Sequence, residues 1–584
     1  MKTPIRPAIF LLFCISIGFS VIPLVTSPSW TSNDNDYSTG GALCDVTMDQ
    51  QLDFCMGNGN DMASNYNAVY VNGGGALETV ASWRSIETGY YSHISMGDVD
   101  NDGYPDMAIS YLGSGSTNQG PVSIYRNSGT GLNTTAWWTS TDNYNSFDCA
   151  LGDVDLDGDL DIAVVAGDPY SGITAPVRIY RNNSGTLETT PYWTSTDNTP
   201  SDACRWVDLD NDGWLDLVVG YRRKIAVFTN VNGTLETTAS WSTTTLGWVL
   251  RISVGDYNND GYKDIAVANN GQLSGDQSRI EVYRNSGGTL QTPAQYVMLT
   301  GTDYCSCVEW GDVNNDTWLD LAAGGWWEPA VVFENTTGSI NTTPAWSYNG
   351  GTNLVGEAVT WGDTDNSSVV TTTDYFSGNG SRKLYYLSRP PVQWFEEARV
   401  DSMVVPLSDF TYDRLTGWIS FKNAPSSGTN NIEIKYSYAR YPDLGLTNWD
   451  ESHGNYLFSN TITGVEETAA IEHGTAGNLK LTAYPNPFSD ITRISIAHGA
   501  KQQNHVGQGF SLAQVSKPKG LPYIRIFNAV GQVIKSFNHL TIQPFNQVTW
   551  DGTDNSGNSL PAGVYIVQAR SDQGSVSEKL ILTR

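Results

Sequence analysis

The residues best placed to do chemistry are aspartates at fixed offsets. One block reads Asp98-Val-Asp100-Asn-Asp102-Gly103-Tyr-Pro-Asp106, with carboxylates at positions 1, 3, 5 and 9. It returns as Asp153, Asp155, Asp157 and Asp161, and again as Asp208, Asp210, Asp212 and Asp216. Two further copies carry an amide at position 3: Asp256, Asn258, Asp260, Asp264, and Asp312, Asn314, Asp316, Asp320. Position 6 is Gly103, Gly158, Gly213 or Gly261 in four copies, which permits a positive-φ turn; the fifth has Thr317, a β-branched residue strained there. When such a chain curls, its carboxylates converge, and a backbone carbonyl near position 7 adds another oxygen. Calcium takes six to eight oxygens in irregular geometry, so this spacing predicts calcium as the cofactor. Without a cation, three or four carboxylates in one small loop repel one another.

Two weaker copies emerge once the offsets are known. Asp45, Thr47, Asp49 and Asp53 keep the spacing, with Gln50 at the glycine position. Asp363 and Asp365 open another copy, which is completed far downstream by Tyr441-Pro-Asp443-Leu-Gly-Leu, the counterpart of Tyr104-Pro-Asp106-Met-Ala-Ile. The first-to-last offset is 80 there instead of 8, so residues 368–440 read as an insertion within the seventh loop. Its strand signals, Lys383–Leu387, Gly417–Phe421 and Ile432–Tyr438, make it a small β module; Trp394, Phe395, Tyr412 and Trp418 are its candidate binding aromatics, with core packing the commoner role.

The elements that must position these loops repeat with them. The first Asp falls at 45, 98, 153, 208, 256, 312 and 363. A Trp precedes most copies (Trp30, Trp83, Trp138, Trp193, Trp241, Trp346), with Tyr296 in the remaining unit. After each good loop comes an apolar run such as Ile162-Ala-Val-Val165, which reads as a buried strand, then an alternating strand ending in Asn, as in Val122-Ser-Ile-Tyr-Arg-Asn127. Antiparallel sheets recurring about every 50 residues suit the blades of a propeller better than an open solenoid, whose repeats are shorter. These units resemble FG-GAP/VCBS repeats, the calcium-loop blades of integrin-α-type seven-bladed β-propellers, over about residues 30–461. The expected fold is therefore all-β: a seven-bladed β-propeller spanning 28–461 with a β insert in its last blade, followed by a C-terminal Ig-like β-sandwich.

The C-terminal reading rests on a polar linker at 462–477 and strands near Leu479–Ala483, Ile491–Ile496, Tyr523–Phe527, Val548–Trp550, Val564–Val567 and Lys579–Leu582. Tyr484-Pro-Asn-Pro-Phe488, Phe527-Asn-Ala-Val-Gly531, Trp550-Asp-Gly552 and Pro561-Ala-Gly-Val-Tyr565 resemble the C-terminal sorting domain of type IX secretion substrates, with some FlgD-Ig-like character, over 478–584. The segment 499–520 is longer than the short turn usual in that family. At the other end, Lys2, Arg6 and the apolar run Ala8–Val25 read as a secretory signal over 1–27. Together these imply a secreted or outer-cell-surface protein that meets the type IX machinery, after signal cleavage and outer-membrane translocation.

Charge narrows the partners. The 584 residues carry 61 Asp and Glu against 32 Lys and Arg, a net charge of −29, which argues against nucleic acid and anionic membrane surfaces. Eighteen of those acids stand in the five better loops. Beyond the leader no stretch is apolar enough for an integral membrane span. The six cysteines outside the leader, Cys44, Cys55, Cys149, Cys204, Cys305 and Cys307, permit disulfides of unspecified pairing and lack zinc-ligand spacing. The histidines are scattered, and no nucleophile, metalloprotease or phosphate-loop motif occurs. The expected function is a non-catalytic binding or adhesion module for an extracellular protein or glycan ligand. The alternatives are a structural surface-layer component and an extracellular polysaccharide hydrolase or lyase.

Overall fold

The computed structural model describes residues 22–168, 172–272, 275–299, 304–350, 354–450, 452–462, 479–484, 492–498, 523–528, 533–537, 547–555, 557–561, 563–571 and 574–582. The chain divides into two compact units, Met1–Glu466 and Glu467–Arg584. Most of the leader expected at 1–27, and the segment 499–520, lie outside the described residues.

The first unit is a ring of antiparallel blades whose strands follow chain order. The first blade holds Ser38–Cys44, Asp53–Asn58, Asn65–Tyr70 and Trp83–Gly89; the second holds Tyr91–Gly97, Asp106–Tyr111, Ser123–Tyr125 and Trp138–Thr139. The third follows the same plan from Ser146–Gly152 to Trp193–Thr194. Blades four and five share one six-stranded sheet. Within Asp216–Phe228, residues up to Tyr221 pair with Ser201–Val207, whereas those from Arg222 pair with Trp241–Gly255, the change falling at Arg223 with φ 62°. The sixth blade runs from Cys305–Gly311 to Trp346–Tyr348. The seventh takes Gly356–Gly362, Asp443–Asn448 and Tyr456–Phe458, and its outer strand is Trp30–Thr31, with Trp30 opposite Leu457. The ring thus closes on a strand from the chain's beginning, and the all-β propeller class is what the structure shows.

Two side chains per repeat join neighbouring blades. The Trp that opens most outer strands donates its indole N–H across the blade boundary: Trp83 to Leu132 O (2.6 Å), Trp138 to Leu187 O (3.1 Å) and Trp193 to Leu235 O (3.0 Å). Trp346 finds Val25 O at 3.0 Å, so the segment before the first blade replaces the leucine turn at the closure. Ile22 and Leu24 are buried in the core there, and the expected 1–27 leader therefore overlaps residues the fold uses. The Asn that ends each third strand reaches back one blade. Asn127 Nδ2 donates to Val46 O, Asn182 to Val99 O, Asn230 to Val154 O, Asn285 to Leu209 O and Asn335 to Tyr257 O, all at 2.7 Å. Asn460 to Val313 O (2.9 Å) and Asn72 to Thr364 O (2.6 Å) complete a circle of seven. Small residues allow the close approach: a Cβ on Gly152 would lie 2.3 Å from the Trp206 ring.

The insert folds as two small sheets. Val369–Phe376, Ile432–Ala439, Val392–Val400 and Met403–Val404 form one; Leu384–Tyr386, Trp418–Phe421 and Phe410–Tyr412 form the other. Phe395 stacks on Tyr412 (5.0 Å between centroids), and Trp418 is buried with propeller residues, so these aromatics pack; Trp394 instead donates to Glu396 at 3.2 Å near the surface.

The second unit has a three-stranded sheet (Leu479–Tyr484, Thr492–His498, Gln547–Trp550) and a four-stranded one (Val533–Phe537, Tyr523–Asn528, Gly563–Ser571, Gly574–Leu582). Ile494, Ile524, Ile526, Trp550, Val567 and Leu580 belong to its core. Val533–Phe537 is a strand that the sequence reading did not include. The six cysteines are buried free thiols, so the disulfides that their number permits are not formed.

Candidate functional site

All seven Asp loops fold alike, including the weak copy at Asp45 and the split copy at Asp363. In six of them the first Asp accepts backbone N–H groups from positions 5 and 6: Asp98 from Asp102 (3.0 Å) and Gly103 (2.7 Å), Asp153 from Asp157 and Gly158 (both 3.0 Å), Asp312 from Asp316 (3.0 Å) and Thr317 (2.9 Å); Asp208 accepts from Gly213 (3.0 Å), while the Asp212 N–H turns to Asp210 (3.1 Å). In the split loop Ser367 and Ser368 donate to Asp363 at 3.2 and 2.6 Å. Thr317 takes φ 77°, the strained conformation its place implied, and Gln50 takes 65°. Position 4 is also left-handed in every copy: Met48, Asn101, Leu156, Asn211, Asn259, Asn315 and Asn366 lie between 53° and 62°. Asn tolerates that region, and its recurrence at five of the seven positions was the available sequence signal.

The last Asp of each loop has a structural task. Asp106 accepts from Val99 N (2.9 Å) and Asn127 N (2.7 Å), Asp161 from Val154 N (3.0 Å) and Asn182 N (2.8 Å), and Asp216 from Leu209 N (3.2 Å) and Asn230 N (2.8 Å). Asp264, Asp320, Asp443 and Asp53 repeat the pattern, taking the Asn N–H at 2.7 to 2.8 Å. This carboxylate fastens its loop to the third strand.

Three loops bring acids together most closely. Ligand atoms of Asp98, Asp100 and Asp106 lie within 4.8 Å of one another, as do those of Asp153, Asp155 and Asp161, and of Asp208, Asp210 and Asp212. In each trio one carboxylate oxygen is buried without a hydrogen-bond partner: Asp100 Oδ1, Asp155 Oδ1 and Asp208 Oδ1. Asn258 and Asn314 change this in the two amide loops, where Asn258 donates to Asp264 Oδ2 (3.2 Å) and Asn314 accepts from Asp316 N (3.0 Å). The split loop sets Asp363 and Asp365 in the same turn, Asp365 accepting from Ser367 N at 2.9 Å, while Asp443 accepts from Thr364 N at 2.9 Å.

Burial pushes these carboxyls up: Asp98 and Asp153 to about 7, Asp106 and Asp264 to about 8, Asp216 and Asp363 to about 7, and Asp208, Asp312 and Asp443 to about 6. Asp161 and Asp320 move the same way for the same reason. Such groups need a positive charge to stay ionised. Arginines of the Tyr-Arg-Asn strands supply part of it: Arg126 pairs with Asp100 and Asp102, Arg181 with Asp155 (2.8 Å), and Arg284 with Asp260 (3.1 Å). The insert lies on this face and adds more, with Arg382 3.5 Å from Asp208 and Arg389 3.6 Å from Asp312. Ser420 Oγ donates to Asp153 Oδ2 at 2.6 Å. An all-oxygen set with one buried unpartnered oxygen in each of three loops fits a calcium ion, which would supply the charge and the missing partner.

The first strand of each blade ends at an Asp loop, so its other end marks the opposite face. A cavity of about 530 Å³ opens there, lined by Thr39, Ser92, Phe147, Asp202 and Glu357 from those strand starts and by Leu250 from within Trp241–Gly255. Trp248, Trp326, Trp327 and Trp449 join them. Glu357 accepts the indole N–H of Trp326 and, at 3.3 Å, that of Trp449. Burial pushes Asp202 to about 7 and Glu357 to about 8. Deeper in the ring, His93 has Nδ1 3.5 Å from Asp148 and Nε2 4.0 Å from Glu357, and burial with the nearby Arg251 pushes it down to about 4. The sequence reading did not include this cavity: Thr39, Ser92, Phe147, Asp202, Leu250 and Glu357 all stand six positions before the first Asp of their loops, but they share no residue type, so no motif marked them.

Comparison with protein families matches residues 27–109, 164–219, 208–267 and 272–323 to an FG-GAP-like repeat, and residues 503–575 to an FlgD Ig-like domain. No curated protein matches the chain. The chain thus carries FG-GAP-like repeats across 27–323 and an FlgD Ig-like domain near its C-terminus.

Proposed function

We propose that this chain is an exported, calcium-stabilised propeller that binds an extracellular protein or glycan without transforming it. FG-GAP-like repeats suggest a propeller-type binding or adhesion module. The observation that carries the calcium reading is the buried, unpartnered carboxylate oxygen in each of the three closest Asp trios. Calcium at Asp98, Asp153 and Asp208 would neutralise the loops and hold strand ends together, and the amide loops at Asp256 and Asp312 and the split loop offer weaker sets.

Export through the type IX machinery to the cell surface or beyond rests on the leader-like N-terminus and the C-terminal motifs around Tyr484 and Pro561. The family match in that region is to an FlgD Ig-like domain, which gives the sorting role no separate support. A leader cut upstream of Ile22 keeps Ile22 and Leu24 in the core.

The test is an array of extracellular glycans and proteins probed in calcium, with product analysis on every ligand retained. Calcium-dependent retention with no product is expected. Turnover of a retained polysaccharide would replace this reading with the hydrolase or lyase, and ordered self-assembly without any ligand would replace it with the surface-layer component.

A further inference from the structure

We infer that the Trp-lined cavity opposite the Asp loops is a binding site for an organic ammonium group; this deepens, and rests on, the reading of the chain as a binding module. Asp61, Asp168, Asp202 and Glu357 line the cavity, and no Lys, Arg or His does among the described residues. Two of these acids are almost wholly buried, Asp202 at 3% exposure and Glu357 at 2%. Asp202 Oδ2 is buried without a hydrogen-bond partner, with Arg222 as the cation acting on it, and Glu357 Oε1 likewise lacks a hydrogen bond, with His93 Nε2 at 4.0 Å on its inner side. Leaving such groups unmatched is costly, and a ligand bearing N–H donors or positive charge matches them.

The walls point to an organic cation over a metal. The acids come from four different blades, and none belongs to the three groups of described residues whose ligand atoms fall within 4.8 Å. They are spaced for a larger ion. Trp326 and Trp449 meet at 76° with centroids 6.1 Å apart, and Trp327 and Trp449 at 67° and 6.2 Å. Steeply inclined indoles form the walls of an aromatic cage, where ring quadrupoles attract an ammonium group. Glu357 fixes two of them by their N–H edges. The site already tolerates such contact, since the Arg222 guanidinium lies over the Trp248 ring at 5.1 Å. The volume of about 530 Å³ exceeds that of an ammonium head alone and leaves room for the chain that bears it.

The test is titration of the full chain, in calcium, with choline and with 3,3-dimethylbutanol, its neutral isostere, read by tryptophan fluorescence and calorimetry. Choline is expected to bind saturably and the alcohol at least about tenfold more weakly, since attraction to a charged acceptor is lost. Nα-acetyl-lysine amide runs in parallel: tighter binding than choline assigns the ammonium to a protein side chain, weaker binding to a small quaternary ligand. Asp202→Asn should weaken choline about tenfold or more without lowering the melting midpoint, because the affected oxygen has no hydrogen bond to lose; Trp327→Ala is the second variant, at a half-exposed side chain. Equal binding of the alcohol, full binding by both variants, or binding of neutral sugars but no cation overturns the inference. The chelator response of the melt tests calcium separately, so either reading can fail alone.

Discussion

On the loop face, acids stand at alternate positions of single turns, and the insert brings arginines to meet them. On the opposite face, acids come singly from four blades, and tryptophans stand between them. The first arrangement concentrates charge within a few ångströms and suits a small hard cation. The second spreads charge around a cavity and suits a larger, softer one. The difference is one of placement: the acids of one chain stand along single turns on one face and one to a blade on the other, the two faces separated by the length of the innermost strands. Within each loop the roles also divide, because position 9 is fastened to two N–H groups whereas Asp100 and Asp155 at position 3 keep an oxygen spare.

The largest effect should come from Asp161→Ala. It strips acceptors from Val154 N and Asn182 N, both buried, and should cost about 2–5 kcal/mol in chelator, and more in calcium because Asp161 also belongs to the acid trio of its loop. Equal loss in Asp155→Ala would erase the division of labour. That variant should instead lose the calcium-dependent part alone, about 2–3 kcal/mol at calcium a hundredfold above the dissociation constant, and change the chelated protein by under about 1 kcal/mol, since Arg181 is partly exposed. Denaturant unfolding of both variants in calcium and in chelator makes the comparison.

A pH series sharpens it further. Burial raises Asp98, Asp153 and Asp216 to about 7 and Asp106 and Asp264 to about 8, against an unfolded value of about 4. Raised values mean the folded, metal-free chain binds more protons than the unfolded one. The stability these groups contribute is then full below about pH 4 and is lost as pH rises through 7 to 8. The chelated protein should melt higher at pH 5 than at pH 8, and calcium should flatten or reverse that slope. The smallest effect belongs to the other face: Trp327→Ala should cost about 0.5–1.5 kcal/mol, equally in calcium and in chelator, because the half-exposed ring loses its edge contacts with Tyr304 and Trp449.

How much was legible follows from where the information sits in the chain. Loop geometry is local, so offsets 1, 3, 5 and 9 announced it, and the offset of 80 announced the insert. The strand-ending Asn was visible as punctuation, but its bond is to a carbonyl about 80 residues earlier, as between Asn182 and Val99, and no local pattern records that. The same holds for Val25, which meets Trp346 across 321 residues. The cavity is the extreme case, since Asp61, Asp168, Asp202 and Glu357 meet only through ring closure. The cysteines misled in a simpler way: an even count allows pairing, yet all six thiols are buried unpaired.

The central claim is that the Asp loops are cation sites, and calcium titration of the chelated chain tests it most directly. The account predicts saturable calorimetric binding at three or more sites per chain, the loops at Asp98, Asp153 and Asp208 first, with a rise in the melting midpoint as they fill. No heat of binding and a melt indifferent to chelator would contradict it.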